Sequence, residues 1–429
     1  MLKLLNKYRR SPYIQNFTAL AGSEIVAQAI LIGVTPILTR VYSPAEFGQY
    51  EFFKTSALLL VVIGFLNYDV SIYTAKNEID RINSVLISIL VLFIICFFAS
   101  IILFFFNDAL VTAFQTEIQE GWYWTLPVYA FFAALTNLML VVLTKSGSFK
   151  LISTTKIVVS ILVASTQLSF GWLKWGYWGL VYSTIIVQVI AFVLYFKSFY
   201  VEFKNSLPLS SLKGMILLMK NYWRFPLMVF PGNLLNNLVQ SLPIFFLGRM
   251  DSQVLGYYGL ARRIIEFPLQ FVSSAVQRLY AKELLDEIEK TGAGFNAYKK
   301  NLKIFGFLAV VLIIGLLTMT RSLLPILFGL EWMPAVPYVM ILGILISVRF
   351  VFGGLSFILV LGKAPKIALL WQIFFAIVMI ITFLVCHFTK CSSIITILYY
   401  VIVGVFSYIF YGLLSYKVSK SNLNLSSKI

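Results

Sequence analysis

Four basic residues, Lys54, Arg262, Arg263 and Arg349, stand inside runs of sequence that are otherwise apolar. Two carboxylates, Glu24 and Glu266, stand in similar runs, with Glu51 and Asp69 near the ends of another. A charge placed in hydrocarbon costs roughly 2.5–3.5 kcal/mol on insertion scales, so such groups face a cavity or one another. In that setting Arg and Lys suit the binding of anions, because the guanidinium fork and the ammonium point charge match phosphate and carboxylate oxygens. The competing use is an internal ion pair: Glu266 lies four residues after Arg262 and three after Arg263. Adjacent helix residues point about 100° apart, so Arg262 and Arg263 cannot both face one way. Glu24 is a candidate for coupling to a proton or sodium gradient, or for a fixed counter-charge, and Glu266 shares those two readings. The single histidine, His387, argues against a histidine-based metal site, and the expectation is no metal and no bound cofactor. Cys96 and Cys386 lie in apolar runs and Cys391 just beyond one, which implies no disulfide framework. No Gly-rich loop that could cradle phosphates is present, so hydrolysis of ATP by this chain is not expected.

The elements that must position these charges are set by the solvent. The 429 residues are 60% hydrophobic and 12% charged, with a mean hydropathy of +0.90. A soluble domain holds about half apolar and a quarter charged residues. The apolar runs are continuous and roughly 20 residues long, the length of a membrane-crossing helix and unlike the period-two alternation of a β-barrel. Twelve spans are expected, at about 17–39, 50–72, 82–106, 122–145, 151–171, 177–197, 225–248, 255–280, 303–328, 335–361, 366–388 and 393–416. The fold class is an all-α polytopic membrane protein. Pro226, Pro231 and Gly232 early in the seventh span, with Pro243 later, predict a bent or broken helix; Pro231, Gly232 and Pro243 are candidate hinge residues.

The net charge of +17 would point to nucleic acid in a soluble protein. Here 25 of the 34 lysines and arginines fall in the termini and the connections on their side, and five (Arg40, Lys174, Arg249, Arg321 and Lys390) on the other. The positive-inside rule then puts both termini in the cytoplasm, without nucleic acid as a partner. The basic inner rim also suits anionic lipid. The connections on the outer side are short, the longest being Asn107–Gly121. On the inner side, Ala281–Leu302 reads as a solvated connector with a short surface helix. The basic Met1–Asn16 precedes a run too long for a cleaved signal and reads as the start of an uncleaved first helix. The runs Trp122–Trp124 and Trp172–Trp178 fit an outer aromatic belt.

The chain also repeats. TRVYSPAEFGQY (Thr39–Tyr50) and GRMDSQVLGYY (Gly248–Tyr258) both follow an apolar run containing a proline, Pro36 or Pro243. Each opens with an arginine, Arg40 or Arg249, and passes through a polar turn to a glycine, Gly48 or Gly256, with a tyrosine two positions on. The arginine-to-glycine spacing is eight residues in one and seven in the other. Ser43-Pro44-Ala45-Glu46 is a capping box with proline at the first helical position. The copies open spans 1–2 and 7–8, so six helices repeat. Six is even, and the repeat is therefore parallel, related by an axis along the membrane normal. The expected organisation is a six-helix half over 1–200, a cytoplasmic linker over 201–224 and a second half over 225–429. Lys54 and Arg262 each follow their glycine by six residues, which puts them at equivalent depth, roughly 9 Å below the outer corner. With the deeper Arg349 they are expected to make a cationic lumen, and Arg40 and Arg249 lie at its outer mouth.

An R-x-Y-S-P-x-x-F-G corner after the first helix, twelve spans, a 6+6 repeat and a basic cytoplasmic rim resemble the O-antigen and polysaccharide flippases. These form the polysaccharide branch of the multidrug/oligosaccharidyl-lipid/polysaccharide exporter superfamily. The resemblance covers the whole chain in architecture. It implies carriage of undecaprenyl-pyrophosphate-linked oligosaccharide from the cytoplasmic to the periplasmic leaflet of the bacterial inner membrane, by a transporter and not an enzyme. It implies lipid-linked oligosaccharide and membrane lipid as partners, with other surface-polysaccharide assembly proteins beside them. The alternative is a cation-coupled drug antiporter of the same superfamily, whose lumen should be net acidic. A membrane polymerase or glycosyltransferase would need a larger outer loop with carboxylates.

Overall fold

The computed structural model describes residues 12–75, 77–106, 121–361 and 365–421. The described residues are helical with short connections and contain no strand. Among the described residues, twelve helices of 20 residues or more overlap the expected spans. They are α1 (Pro12–Val41), α2 (Pro44–Gly64), α3 (Glu78–Phe105), α4 (Trp122–Lys145), α5 (Phe149–Trp172) and α6 (Tyr177–Phe203), then α7 (Phe230–Met250), α8 (Ser252–Thr291), α9 (Phe295–Phe328), α10 (Val336–Leu355), α11 (Pro365–Phe388) and α12 (Ser393–Ser419). Residues 1–11, Lys76, Lys363, Lys428 and nearly all of the outer connection Asn107–Gly121 lie outside the described residues. Nine helices among the described residues are long and apolar enough to cross a bilayer, and ten if one bent pair counts as a span. The chain is a multi-pass membrane protein. The helices α7 and α8 fall short of that test. Asn233, Asn236, Asn237 and Gln240 dilute α7, and Arg262, Arg263 and Glu266 dilute α8.

Three elements differ from the expectation. The second span does not run straight to residue 72. It ends as α2 at Gly64, and a second piece, Tyr68–Thr74, continues at 56° to it. Leu66 and Asn67 at the break take φ of 47° and 62°, a left-handed conformation that Asn tolerates and Leu does not favour. The Lys145 ammonium donates to the Ile72 carbonyl at 2.6 Å, which satisfies an orphan acceptor at the end of the bent piece. The inner connection 281–302 holds no separate short helix. Ala281–Thr291 is the continuation of α8, which stops at Gly292 (φ 72°). Within the linker, Ser211 caps a ten-residue helix, Leu212–Asn221, by accepting from the Gly214 N–H at 3.0 Å. One face of it, Met215, Leu218, Met219 and the following Tyr222, packs on Tyr68 and Ile87. The other face exposes Leu212, Ile216 and Leu217 interleaved with Lys213 and Lys220.

The α8 continuation is clamped to α9. Glu283 accepts from Lys300 at 2.6 Å and from Asn301 at 2.9 Å, and Glu287 accepts from the Asn296 N–H at 2.9 Å and the Ala297 N–H at the start of α9. The Lys300 hydrogen bond, then that of Asn301, holds the Glu283 carboxyl below its usual range.

The contacts divide the chain into two compact units, one holding the chain up to Tyr42 with Gln49–Asn237, the other Ser43–Gly48 with the chain from Leu238 on. In the first, α1 packs along α5, and α3, α4 and α6 enclose Phe65, Ile82, Leu92, Leu138, Val142 and Phe203. The Tyr42 hydroxyl donates to the Gln167 carbonyl at 2.7 Å, over a Gly171 that leaves it room. In the second, α10 packs on α8, α9 and α12 around Trp332, Tyr280, Tyr298 and Phe305, all buried. Small residues let the helices approach: a Cβ on Gly412 would lie 2.1 Å from the Phe352 ring, and one on Gly404 2.6 Å from Leu345. The outward faces are apolar, as on α9, where Phe307, Val310, Val311 and Ile314 are exposed. That is the pattern of a surface solvated by lipid.

Both corner helices start on a side-chain cap. Ser43 and Glu46 make the expected box, the Ser43 N–H donating to the Glu46 carboxylate at 2.7 Å. Asp251 caps α8 by accepting from the Gln253 N–H at 2.7 Å. Counted from the cap, the glycine is the fifth residue on in each copy, Gly48 and Gly256. The one-residue difference in the arginine-to-glycine spacing is therefore taken up before the cap, where α1 is followed by Tyr42 and α7 leads directly into Asp251. The two helix starts touch reciprocally inside the second unit. A Cβ on Gly48 would lie 1.8 Å from the Ser252 carbonyl oxygen, and one on Gly256 1.9 Å from that of Pro44.

Candidate functional site

Three helices of the second unit bring its intramembrane charges together. Glu266 lies one turn after Arg262 on α8, and Arg262 Nε stands 3.3 Å from Glu266 Oε1. The same oxygen is 3.7 Å from Arg349 Nη2 of α10. Arg349 Nη1 donates to Gln240 Oε1 of α7 at 3.4 Å. One carboxylate is thus shared by two guanidiniums, and the cluster carries a formal charge of +1. The separations are longer than those of strong charge-assisted hydrogen bonds, which run about 2.7–2.9 Å. The side chains keep 22–35% of their surface accessible.

The accessibility is to a cavity of about 540 Å³, lined by Arg262, Glu266 and Arg349 and by Gln240, Ser273, Gln277 and Phe350 among others. Behind the charges lies a niche of about 20 Å³, close to the room one water needs, bordered by Tyr258, Tyr400 and Tyr408. Of the expected site residues the structure brings Arg262, Glu266 and Arg349 together; Gln240, Ser273, Gln277 and the three tyrosines beside them were not among the expected ones. Positions 262, 266, 269, 273 and 277 follow helical spacing, which was the available signal.

The other expected site residues lie elsewhere. Arg263 turns away from the cavity, its guanidinium 5.7 Å from the Phe47 ring, as the 100° offset from Arg262 requires. Phe47 meets Trp332 edge-on at 5.2 Å. Lys54 is half-buried on α2, in the first unit. Arg40 is exposed in the last turn of α1, and Arg249 half-buried in the last turn of α7. Glu24 on α1 pairs with Lys156 of α5 and accepts from Gln28 at 3.4 Å. Lys156, counted on the inner rim, thus sits within a helix facing a carboxylate. Pro226 falls in a π-helical turn, Phe225–Val229, that runs into α7; Pro231 and Gly232 follow in its first turn, and Pro243 is buried further along. His387 lies in the last turn of α11. Of the residues expected in an outer belt, Tyr123, Trp124, Trp172 and Trp175 are exposed, whereas Trp122 and Tyr177 are buried. Trp122 has the Phe53 ring edge-on at 5.2 Å.

A sequence profile of the polysaccharide biosynthesis protein family matches residues 37–337, from the first corner past the cluster on α8. The chain belongs to that family. The resemblance carried by the corner and the repeat therefore holds at the level of the family. A family relative with a curated description, the teichuronic acid biosynthesis protein TuaB of Bacillus subtilis (strain 168), is 24% identical over 221 residues. That match takes in 49% of this chain and 44% of the relative, so this chain spans less than half of the relative's length. Among solved structures, the lipid II flippase MurJ in an inward closed conformation is 15% identical, with a TM-score of 0.62 over 94% of this chain and 86% of that one. An inward-facing multidrug resistance MATE family transporter of the MOP superfamily is 13% identical, with a TM-score of 0.57 over 96% of each chain. At these identities the likeness is one of fold alone, shared over nearly the whole of this chain.

Proposed function

We propose that the chain is a flippase for lipid-linked oligosaccharide, carrying a pyrophosphate-linked repeat unit of a surface polysaccharide from the cytoplasmic to the outer leaflet. The observation that carries the reading is the Arg262–Glu266–Arg349 cluster opening on a 540 Å³ cavity. Two guanidiniums are suited to a diphosphate, and their formal excess over Glu266 favours an anionic cargo. The family assignment to polysaccharide biosynthesis supports the cargo class. The organisation that goes with it is two parallel six-helix halves, both termini in the cytoplasm of a bacterium and alternating access to the two leaflets. Lys54, Arg40 and Arg249 add positive charge along the path, and the Pro231–Gly232 and Pro243 positions supply the bending. Tight binding alone moves nothing, so the two states must bind the cargo differently. A proton or sodium gradient is the energy source this scheme calls on, with Glu24 and Glu266 as the groups to test.

The competing reading is a cation-coupled antiporter, which the MATE likeness in fold favours. A cluster of net positive charge opposes it. The test replaces Arg262 and Arg349 by Ala in cells that lack the native protein. The flippase reading expects lipid-linked oligosaccharide to accumulate on the cytoplasmic face and surface glycan to fall. Normal surface glycan, with raised sensitivity to cationic drugs, would sink it in favour of the antiporter.

A further inference from the structure

The cavity extends well past the arginines. Along α8 its wall is Arg262, Glu266, Leu269, Ser273 and Gln277, at i, i+4, i+7, i+11 and i+15 of one helix face. Fifteen residues of helix rise roughly 22 Å, a stripe longer than a diphosphate. Its chemistry changes along the way. The charges end at Glu266, and from there the polar groups on this face are a hydroxyl and a carboxamide. Gln240 adds a second carboxamide from α7 beside Arg349. Opposite, α10 presents Phe350 and the pair Gly353-Gly354. A Cβ on Gly354 would lie 2.7 Å from the Phe305 ring and 3.4 Å from Gln277 Nε2, so the wall is kept flat where the Gln277 side chain ends.

Neutral groups that both donate and accept are what sugar hydroxyls require. A second anion would call for more cations, a cationic ligand for carboxylates, and a lipid tail for an uninterrupted apolar wall. The volume lies within the roughly 300–1,000 Å³ of small-molecule pockets, room for more than a diphosphate. We propose that Ser273 and Gln277 form a sugar subsite, hydrogen-bonding the first sugar attached to the diphosphate held at Arg262 and Arg349. The subsite rests on the lipid-linked oligosaccharide reading and adds to it a recognition element for the glycan, spaced along α8 from the anion site.

The test measures binding of two probes to the purified full chain: a polyprenyl pyrophosphate, and the same lipid carrying an oligosaccharide. In the double variant Ser273→Ala and Gln277→Ala, affinity for the sugar-bearing lipid should fall about tenfold, as expected for two lost hydrogen bonds. Affinity for the bare pyrophosphate lipid should stay the same, whereas Arg349→Ala should weaken both probes. Should the double variant misfold, each single alanine variant is measured in the same assay. Wild-type protein that binds both probes, with variants that weaken both equally or neither, would overturn the subsite alone. Wild-type protein that binds neither probe would overturn the flippase reading and the subsite with it.

Discussion

Glu266 holds the two arginines loosely, at 3.3 and 3.7 Å. On the proposed function a phosphate oxygen takes the same place between the two guanidiniums, so that cargo and carboxylate compete. Partly solvated ion pairs are worth roughly 0.2–1 kcal/mol each. Two of them amount to about one factor of ten in affinity. On the proposed function, Glu266→Gln should therefore bind inorganic pyrophosphate about tenfold more tightly while flipping more slowly, since release is opposed. Titration of the purified variant checks the first part and a flipping assay in vesicles the second; weaker binding than wild type would show that Glu266 organises the arginines rather than competing for them. The pairing of Glu266 with Arg262 was open to sequence reasoning because it is local, one turn of a helix. The pairing of Glu24 with Lys156 was not, because 132 residues separate them and only the packing of α1 on α5 brings them together.

Among the elements, the two helices that fail a test of apolar length are the ones that line the cavity with α10. Polarity in α7 and α8 is the cost of carrying a hydrophilic wall, and packing against neighbours is what shelters it. The helix positions were legible because each long apolar run admits one structure in lipid. The bend after Gly64 was not legible: Leu66 gives no warning, and Asn67 alone is a weak signal. The continuation of α8 to Thr291 was legible in principle, since no breaker lies between Pro268 and Gly292, and the charge mixture misled. That continuation also gives a pH dependence. The Glu283 carboxyl is depressed by Lys300 and Asn301, so its contribution is present above the ordinary carboxylate value and is lost as pH falls through the depressed one. The side chain is 40% exposed, so the effect is local and well under about 1 kcal/mol. Hydrogen exchange of the first turns of α9 should quicken as pH falls below the ordinary carboxylate range, after correction for intrinsic rates. In Glu283→Gln that step should shrink; an unchanged step would show that Glu283 does not carry it.

For the molecule as a whole, the likeness of the two corners was readable from two short strings, and the cap-to-glycine register shows why they are alike. Composition placed the chain in a membrane, and the orientation read from charge placement belongs to the proposed function. What the strings did not disclose is that the copies touch each other. Alanine is preferred to glycine in a helix by about 1 kcal/mol, but a methyl less than 2 Å from a carbonyl oxygen must push the helices apart, and overpacking costs about 1–3 kcal/mol or more. Gly48→Ala and Gly256→Ala should each lower the melting temperature in detergent. The double variant should lose much less than the sum, because the first methyl has already opened the gap that the second needs. Additive losses would show that the two contacts open separately.

That reciprocity bears on how the chain can change over time. Duplicated segments ordinarily drift apart, each free to take up its own substitutions. Here the second segment is the mould for the first and the first for the second, so the first glycine to be replaced carries most of the penalty and its counterpart is then less constrained. The expected signature is epistasis without rescue: no replacement in one corner restores what a replacement in the other has lost, and the two corners stay alike because the first loss is the costly one.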